Sequence, residues 1–373
     1  MPNYSIKILD SVDKLVANGE AWNSLLDRTG NVSPLVRAES IALWMHRFAS
    51  DATFRTVVVE LDGIPVAGIP LYLQRKATIL RLGVLPNNGW GNCGNLLLDA
   101  SRQDTEAIFS HLVKGLKQLP IDFLWCHRTR FEDFPWKSFR NYWANSGYSS
   151  RTILQYHTAV IPLHGDPETV TATWDKRKFA NIKKRFRKEF TSENHEFRMV
   201  SNVDEVAALL RDCFTVEHAS WKGQEAKGGS IIKMGMEEYF ATQAKILAEK
   251  NLIRLYVLFV EGRLIAFQYN FFAGKTIFNM KTGYDPAMRE FAPGMVLQWL
   301  IYQSLLEEPD VAFFDWTGIA GEYQKIWNPE LHAVGEVVFP LTLQGKITLS
   351  LHKLYAKMKF RSSQNTSAET DKS

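Results

Sequence analysis

Residues 253–272, IRLYVLFVEGRLIAFQYNFF, decide how this chain folds. Two apolar runs of strand length flank Glu261-Gly262, and a glycine there tolerates the positive φ of a tight turn, so the stretch reads as a β-hairpin. The same grammar occurs at residues 54–73, FRTVVVELDGIPVAGIPLYL, around Asp62-Gly63. Both hairpins place an acid, a glycine, a β-branched residue and an alanine in register: Asp62, Gly63, Val66 and Ala67 against Glu261, Gly262, Ile265 and Ala266.

A second echo follows each hairpin. Helical periodicity over 105–119 stops at Pro120 and leads into the strand-like run 122–126; periodicity over 293–306 stops near Pro309 and leads into 311–316. Two matched features in the same order predict a duplicated α/β unit, with residues 1–160 as one copy and 161–345 as the other. Residues 158–169, with two prolines and a glycine, suit a crossing strand and a turn, and a helix is expected from about Pro167 to Phe190. Residues 346–373 are expected to form a C-terminal helix and a disordered tail, because 361–373 are small and polar.

Composition narrows the class. A chain of 373 residues with 46% hydrophobic and 23% charged residues is globular, and at roughly 150 residues per domain it holds two. The formal net charge of +4 is too small for a dedicated nucleic-acid binder, so DNA is not an expected partner. Cys93, Cys126 and Cys213 form no CxxC pair, which excludes a disulfide scaffold and a cysteine-rich zinc site. Residues 1–15 lack the basic start and apolar core of a secretory signal, and no run approaches the ~18 apolar residues of a membrane span. The expectation is a soluble cytoplasmic protein with no metal.

Four segments hold candidate chemistry. In 281–298, KTGYDPAMREFAPGMVLQ, a strand passes a turn at Asp285-Pro286 and enters a helix at Pro293-Gly294. Proline suits a first helical turn and glycine admits a close ligand, so this helix start, with Arg289 just upstream, is a candidate anion site; a plain helix start explains the proline equally. In 311–327, VAFFDWTGIAGEYQKIW, a strand ends in Asp315, with Glu322, Tyr323 and Lys325 beyond it. Polar groups past a strand's carboxyl end sit where α/β proteins bind ligands; Asp315 is a candidate proton acceptor and Lys325 a candidate for neutralising developing charge, while a salt-bridged loop is the alternative.

The third segment is basic. Lys176, Arg177, Lys178, Lys183, Lys184, Arg185, Arg187 and Lys188 surround an apolar stripe of Phe179, Ile182, Phe186 and Phe190. The stripe packs on a core and the cations face outward, toward solvent, a phosphate-bearing partner or the surface of an anionic membrane. In the fourth, 214–223, FTVEHASWKG, His218 is a candidate general base or a helix-end residue. No Ser-His-Asp order, P-loop or GxGxxG fingerprint occurs.

Taken in order, these segments resemble the GNAT-superfamily acyltransferases of the CelD/BcsL type, also called BioF2-like, which are related to the Fem peptidoglycan aminoacyltransferases. The resemblance rests on the helix 174–188 with Asn181-Ile182-Lys183, on Ser220-Trp221-Lys222-Gly223, and on the hairpin Glu261-Gly262-Arg263-Leu264-Ile265-Ala266. It continues through Gly283-Tyr284-Asp285-Pro286, Pro293-Gly294, Phe314-Asp315, Gly318 and Tyr323-x-Lys325-x-Trp327. The N-terminal half matches more loosely, through Trp44, the Asp62-Gly63 hairpin and Pro70-Leu71.

The resemblance implies tandem GNAT-like units of α/β (α+β) class, each a mixed, mostly antiparallel sheet flanked by helices. It implies an acyl-CoA donor, most simply acetyl-CoA, held where the central strands of the second unit splay apart. Its pyrophosphate would rest on Arg289-x-x-Ala292-x-Gly294, with Pro293 and Met295 completing the stretch; the family pattern has glycine where Ala292 stands. Lys325 matches a lysine that in the Fem relatives steadies the transferring acyl group, and Asp315, His218 and Tyr323 complete the catalytic set. Arg177, Arg185, Trp221 and Lys222 are the implied contacts to a sugar or sugar-nucleotide acceptor.

The expected function is acyl-CoA-dependent N- or O-acyl transfer to a sugar-containing acceptor in cell-envelope or exopolysaccharide biosynthesis. The alternatives are a Fem-like aminoacyl-tRNA-dependent transferase and a non-catalytic polysaccharide-assembly protein. The lack of a long charged coiled-coil insertion argues against transfer RNA as a partner.

Overall fold

The computed structural model describes residues 2–76, 79–190, 194–226 and 229–351; the expected tail beyond 351 lies outside them. In chain order, β1 (Tyr4–Leu9), α1 (Val12–Ala17), α2 (Gly19–Thr29) and α3 (Ala38–Phe48) precede the hairpin β2 (Thr53–Leu61) and β3 (Ile64–Lys76). Then come β4 (Leu80–Val84), the two-residue strands β5 (Asn87–Asn88), β6 (Gly91–Asn92) and β7 (Leu97–Leu98), α4 (Thr105–Leu116), β8 (Phe123–Thr129), α5 (Trp136–Asn145) and β9 (Arg151–Pro162). The second half runs α6 (Pro167–Ala172), α7 (Lys176–Glu189), β10 (His195–Val200), α8 (Val203–Ala219), α9 (Trp221–Gln224) and α10 (Glu237–Ala248). It closes with β11 (Ile253–Val260), β12 (Arg263–Ala273), β13 (Thr276–Tyr284), α11 (Pro293–Leu305), β14 (Phe313–Asp315) and β15 (Glu330–Pro340).

The chain divides into two compact units: residues up to 21, 49–155 and from 334 onward form one, and 22–48 with 156–333 form the other. Residues 22–48, expected with the first half, group with the second. The cause is α3, whose buried Ile41, Trp44 and Met45 belong to the second unit's packing. Phe48 of α3 meets Tyr239 of α10 edge-on at 5.3 Å, and Arg47 donates to the Gly235 carbonyl.

Each unit is α/β with a mostly antiparallel sheet. The first orders its strands β1-β2-β3-β4-β8-β15, and the second β9-β14-β13-β12-β11-β10. One short parallel pair interrupts each: Leu82–Val84 with Phe123–Trp125, and Thr276–Phe278 with Phe313–Asp315. The two hairpins are near copies. Asp62 and Gly63 have φ of 49° and 81°, Glu261 and Gly262 have 49° and 75°, and both pairs thus have the positive φ of a type I′ turn. Each hairpin also slips register at the same step, so Val66 and Ile265 are the bulged residues.

In the second unit, helices cover both sheet faces. Tyr269 points to α10, where its hydroxyl meets Gln243 at 3.2 Å; Gln268, one residue earlier, points to Gln298 of α11 at 2.5 Å. The α11 face buries Val296, Leu297, Ile301 and Leu305 against Tyr256, Leu258 and Ile277. The expected helix from Pro167 to Phe190 is two helices. Asp175 restarts it by accepting the Lys178 N–H at 3.0 Å, while the Asp175 N–H donates to the Ile326 carbonyl at 2.8 Å. Trp174, left between them, meets Trp327 and Phe179 edge-on. The stripe of Phe179, Ile182, Phe186 and Phe190 packs on the α11 core as its spacing requires.

Helix α8 lies so close to β13 that a Cβ on Gly283 would stand 2.5 Å from Phe267 and 3.2 Å from the Glu217 Cα. Gly283→Ala is therefore expected to cost about 1–3 kcal/mol of stability in denaturant unfolding, as overpacking does. A loss below about 0.5 kcal/mol would show that this contact does not hold α8 in place.

Candidate active site

Strands β13 and β14 pair over three residues only, Thr276–Phe278 against Phe313–Asp315. Beyond that point they part. The chain after Asp315 turns away through Thr317, whose φ is 53°, and the Thr317 hydroxyl donates to the Asn279 carbonyl at 2.5 Å. The later residues of β13 are left bordering a cavity of about 400 Å³. Thr282, Gly283 and Tyr284 form one edge, and Trp316 and Tyr323 the other side.

The cavity is walled from both faces of the sheet. Gln298 and, at the α11 entry, Arg289 and Ala292 to Met295 contribute from one face, and Ser220, Trp221 and Lys222 from the other. Only a gap between strands permits both. Among the described residues the ionisable lining groups are Lys222, Arg289, Tyr284 and Tyr323, with no carboxylate, so the cavity is electropositive.

The entry of α11 is built by its turn. Asp285 accepts from Ala287 N–H at 2.9 Å and pairs with Arg263, fixing the chain after β13. Ala292 adopts φ 51°, the left-handed conformation, which is costly without glycine and redirects the backbone into the helix. Among the described residues no side chain caps α11, and Pro293 has no N–H to give, so Gly294 offers the first amide hydrogen. A Cβ on Gly294 would meet only Tyr284, at 3.6 Å, so protein packing does not demand glycine there.

The opposite wall turns a sharp corner between α8 and α9. Ser220 accepts the Lys222 N–H at 3.3 Å, and a Cβ on Gly223 would stand 1.9 Å from the His218 carbonyl oxygen. The corner aims Lys222 inward. Its ammonium donates to the Thr282 carbonyl at 2.6 Å and pairs with Glu217 at 3.3 Å. Glu217 is fully buried, and the Ile231 N–H, at 2.8 Å, supplies its second donor. Lys281 completes the group: burial pushes its ammonium down to about 8, against the pull of Glu217 and with the repulsion of Lys222.

Behind the α11 wall, Asn279 donates to Asn270 at 2.7 Å and to Gln268 at 3.3 Å, and Gln268 donates to Gln298. The Gln298 amide nitrogen has no hydrogen-bond partner among the described residues although the residue is 1% exposed.

Of the residues expected from sequence, the structure brings Arg289, Ala292, Pro293, Gly294, Met295, Trp221, Lys222 and Tyr323 to this cavity. Asp315, His218 and Lys325 are not among its lining. Asp315 is buried and accepts the Thr317 N–H at 2.7 Å. His218 meets the Ser230 hydroxyl at 2.9 Å through Nδ1, and Lys325 is exposed and paired with Glu322 at 2.6 Å. Arg185 lines a smaller adjoining hollow, and Arg177 lies on the exposed face of α7. Sequence reading missed Glu217, Lys281, Gln268 and Gln298. The signal for Glu217 was present: it continues the buried stripe Val206, Leu210, Cys213 and Phe214 of α8, where an apolar residue belongs.

Residues 176–325 match the acetyltransferase (GNAT) domain family. Over that stretch, less than half of its length, the chain matches a GNAT-type acetyltransferase domain, which supports an acyltransferase. No curated protein sequence matches it. The fold is similar to that of FemX, with TM-score 0.62 at 10% identity over 86% of this chain and 96% of that one. It is similar to a conserved protein of unknown function from Bacteroides thetaiotaomicron, with TM-score 0.56 at 12% identity over 90% and 100%. It is also similar to the C-terminal domain of a putative lysylphosphatidylglycerol synthetase from Agrobacterium fabrum, with TM-score 0.52 at 10% identity over 90% and 96%. At these identities the likeness is one of fold. It gives no support to the expectation that transfer RNA is not a partner. Among the described residues no cluster suited to a metal ion occurs, and no helix is long and apolar enough to cross a membrane.

The lowered Lys281 has a consequence for stability. Between about pH 8 and the ordinary lysine value the unfolded chain binds this proton and the folded chain does not, so stability rises with pH across that window. Between pH 8 and 9.5 the rise is expected to be roughly 1–2 kcal/mol in urea unfolding, and Lys281→Met should remove it. An unchanged pH dependence in that variant would contradict a neutralised, buried Lys281.

Proposed function

We propose that the protein transfers an acyl group from an acyl-CoA, most simply acetyl-CoA, to an amine or hydroxyl of a sugar-containing acceptor, as an enzyme of the CelD/BcsL type in envelope or exopolysaccharide synthesis. The observation that carries the reading is the electropositive cavity passing between β13 and β14, with the uncapped start of α11 at one wall. A diphosphate suits that start, because the Gly294 N–H, the helix dipole and Arg289 all favour an anion there. The room left at Gly294 and the Gln298 amide nitrogen, unpartnered among the described residues and able to donate to a ligand carbonyl, fit a donor lying along the cavity.

The donor supplies an activated thioester carbonyl; the chain's own part is placement and charge. Lys222, fixed by Glu217 and the Thr282 carbonyl, is the cation positioned to steady negative charge on that oxygen as the acceptor's nitrogen or oxygen bonds to the carbonyl carbon and the carbon–sulfur bond breaks. Tyr323, whose hydroxyl accepts from the Gln324 amide at 3.3 Å and whose pKa is raised by partial desolvation, gives its proton to the leaving sulfur and regains one from the acceptor's nitrogen or oxygen as that atom bonds to the carbonyl carbon. Trp221, exposed at the far wall, offers an aromatic face to the acceptor's ring. Lys325, paired with Glu322, has no part in this arrangement, and Asp315 and His218 are held in local hydrogen bonds.

A second reading replaces the thioester with an aminoacyl ester. It is favoured by the likeness to FemX and to a putative lysylphosphatidylglycerol synthetase domain. Calorimetric titration separates the two. Acetyl-CoA is expected to bind, and Gly294→Val, which fills the space beside the helix start, to weaken it at least ~10-fold, or about 1.4 kcal/mol, with the melting temperature unchanged. No heat with acetyl-CoA, together with binding of a charged transfer RNA, would reverse the order of the readings.

A further inference from the structure

Ala292 and Met295 line not only the main cavity but also a second, smaller hollow of about 140 Å³. Its other walls are Lys178, Asn181 and Arg185 from α7, over an apolar floor of Ile182, Val296 and Ile326. The two spaces therefore meet at the entry of α11. At ~30 Å³ per water the hollow holds about five such volumes, which suits a tetrahedral oxyanion and not a nucleoside.

The walls are chosen for charge. Residues 178, 181 and 185 recur at steps of three and four, so two cations and one amide share a single side of α7. This side borders the stripe that seats the helix on α11, so the heads are held at the hollow's rim. Arg185 is steered there by the Glu290 carbonyl, to which it donates at 3.4 Å. Glu322, which lies near Lys178, is engaged by Lys325 at 2.6 Å. Guanidinium, ammonium and carboxamide together form the donor set that grips a phosphate monoester, with the guanidinium able to bind two oxygens.

We infer that this hollow receives a phosphate monoester one ribose away from the diphosphate on α11, which in the donor proposed above is the 3′-phosphate of coenzyme A. The assignment rests on that donor reading. It gives Lys178 and Arg185 a place in donor recognition, whereas the resemblance put Arg185 with the acceptor.

Dephospho-coenzyme A, which lacks only this phosphate, tests the inference. Calorimetry on the full chain is expected to show coenzyme A binding at least ~10-fold more tightly than dephospho-coenzyme A, a gap of about 1.4 kcal/mol. In the double variant Lys178→Ala, Arg185→Ala the gap should close because coenzyme A weakens while dephospho-coenzyme A does not change. Equal affinities in the parent protein, or equal weakening of both ligands in the variant, would overturn the inference and leave the donor reading intact. Absence of binding by either ligand would overturn both. Binding of phosphatidylglycerol vesicles that the double variant loses, without a preference between the two coenzymes, would assign these cations to a membrane surface instead.

Discussion

The structure depends on how early one strand pair stops. Strands β13 and β14 are hydrogen-bonded for three residues, and everything on the page about the site follows from their separation after Phe278 and Asp315. A sheet that closed there would keep the α8 and α11 sides apart, as buried strands normally do. The parting has a local cause. Asp315 accepts the Thr317 N–H, Thr317 takes a left-handed conformation, and its hydroxyl holds the Asn279 carbonyl that a continuing strand would have claimed. The cavity is thus as well defined as the turn that opens it.

Two kinds of chemistry are kept on the two faces. The α11 face gives an uncapped helix start, a buried amide and an arginine, all suited to a long anionic ligand. The α8–α9 face gives an ammonium pinned by a buried carboxylate and an exposed tryptophan, suited to a reacting centre and a second substrate. The β-bulge in the β12–β13 pairing helps to build this division. Tyr269 pairs with Lys281 and Asn270 with Asn279, so a lysine and an asparagine two residues apart face opposite sides. Lys281 thereby joins Glu217 and Lys222, and Asn279 joins the amide chain that ends at Gln298.

Much of the fold was legible because it rests on local rules. The acid-glycine turns, the apolar runs around them and the proline at the start of α11 all act through neighbouring residues, and each hairpin even repeats its bulge. The α11 side of the cavity was legible for the same reason, since Arg289 and Ala292 to Met295 belong to one continuous turn. The other candidate side chains were less so. Asp315 lies at the strand end where a functional acid is expected, but nothing in its neighbours announces that its carboxylate turns back to the Thr317 N–H. Lys325 and Glu322 are three apart and satisfy each other on the surface. Glu217, Lys222 and Lys281 come from separate elements, and their meeting depends on the closeness of α8 to Gly283, which only packing sets. Residues 22–48 likewise joined the second unit through the packing of α3 on α10, which periodicity does not address.

The central claim is that a ligand enters between β13 and β14 against the start of α11. Amide hydrogen exchange of the full chain with and without acetyl-CoA tests it most directly, because it reports each segment separately. The account predicts slowed exchange at Thr282–Tyr284 and at Gly294–Met295, with the first unit's hairpin around Asp62-Gly63 unchanged. Protection at neither segment under saturating ligand, or protection confined to some other surface, would contradict it.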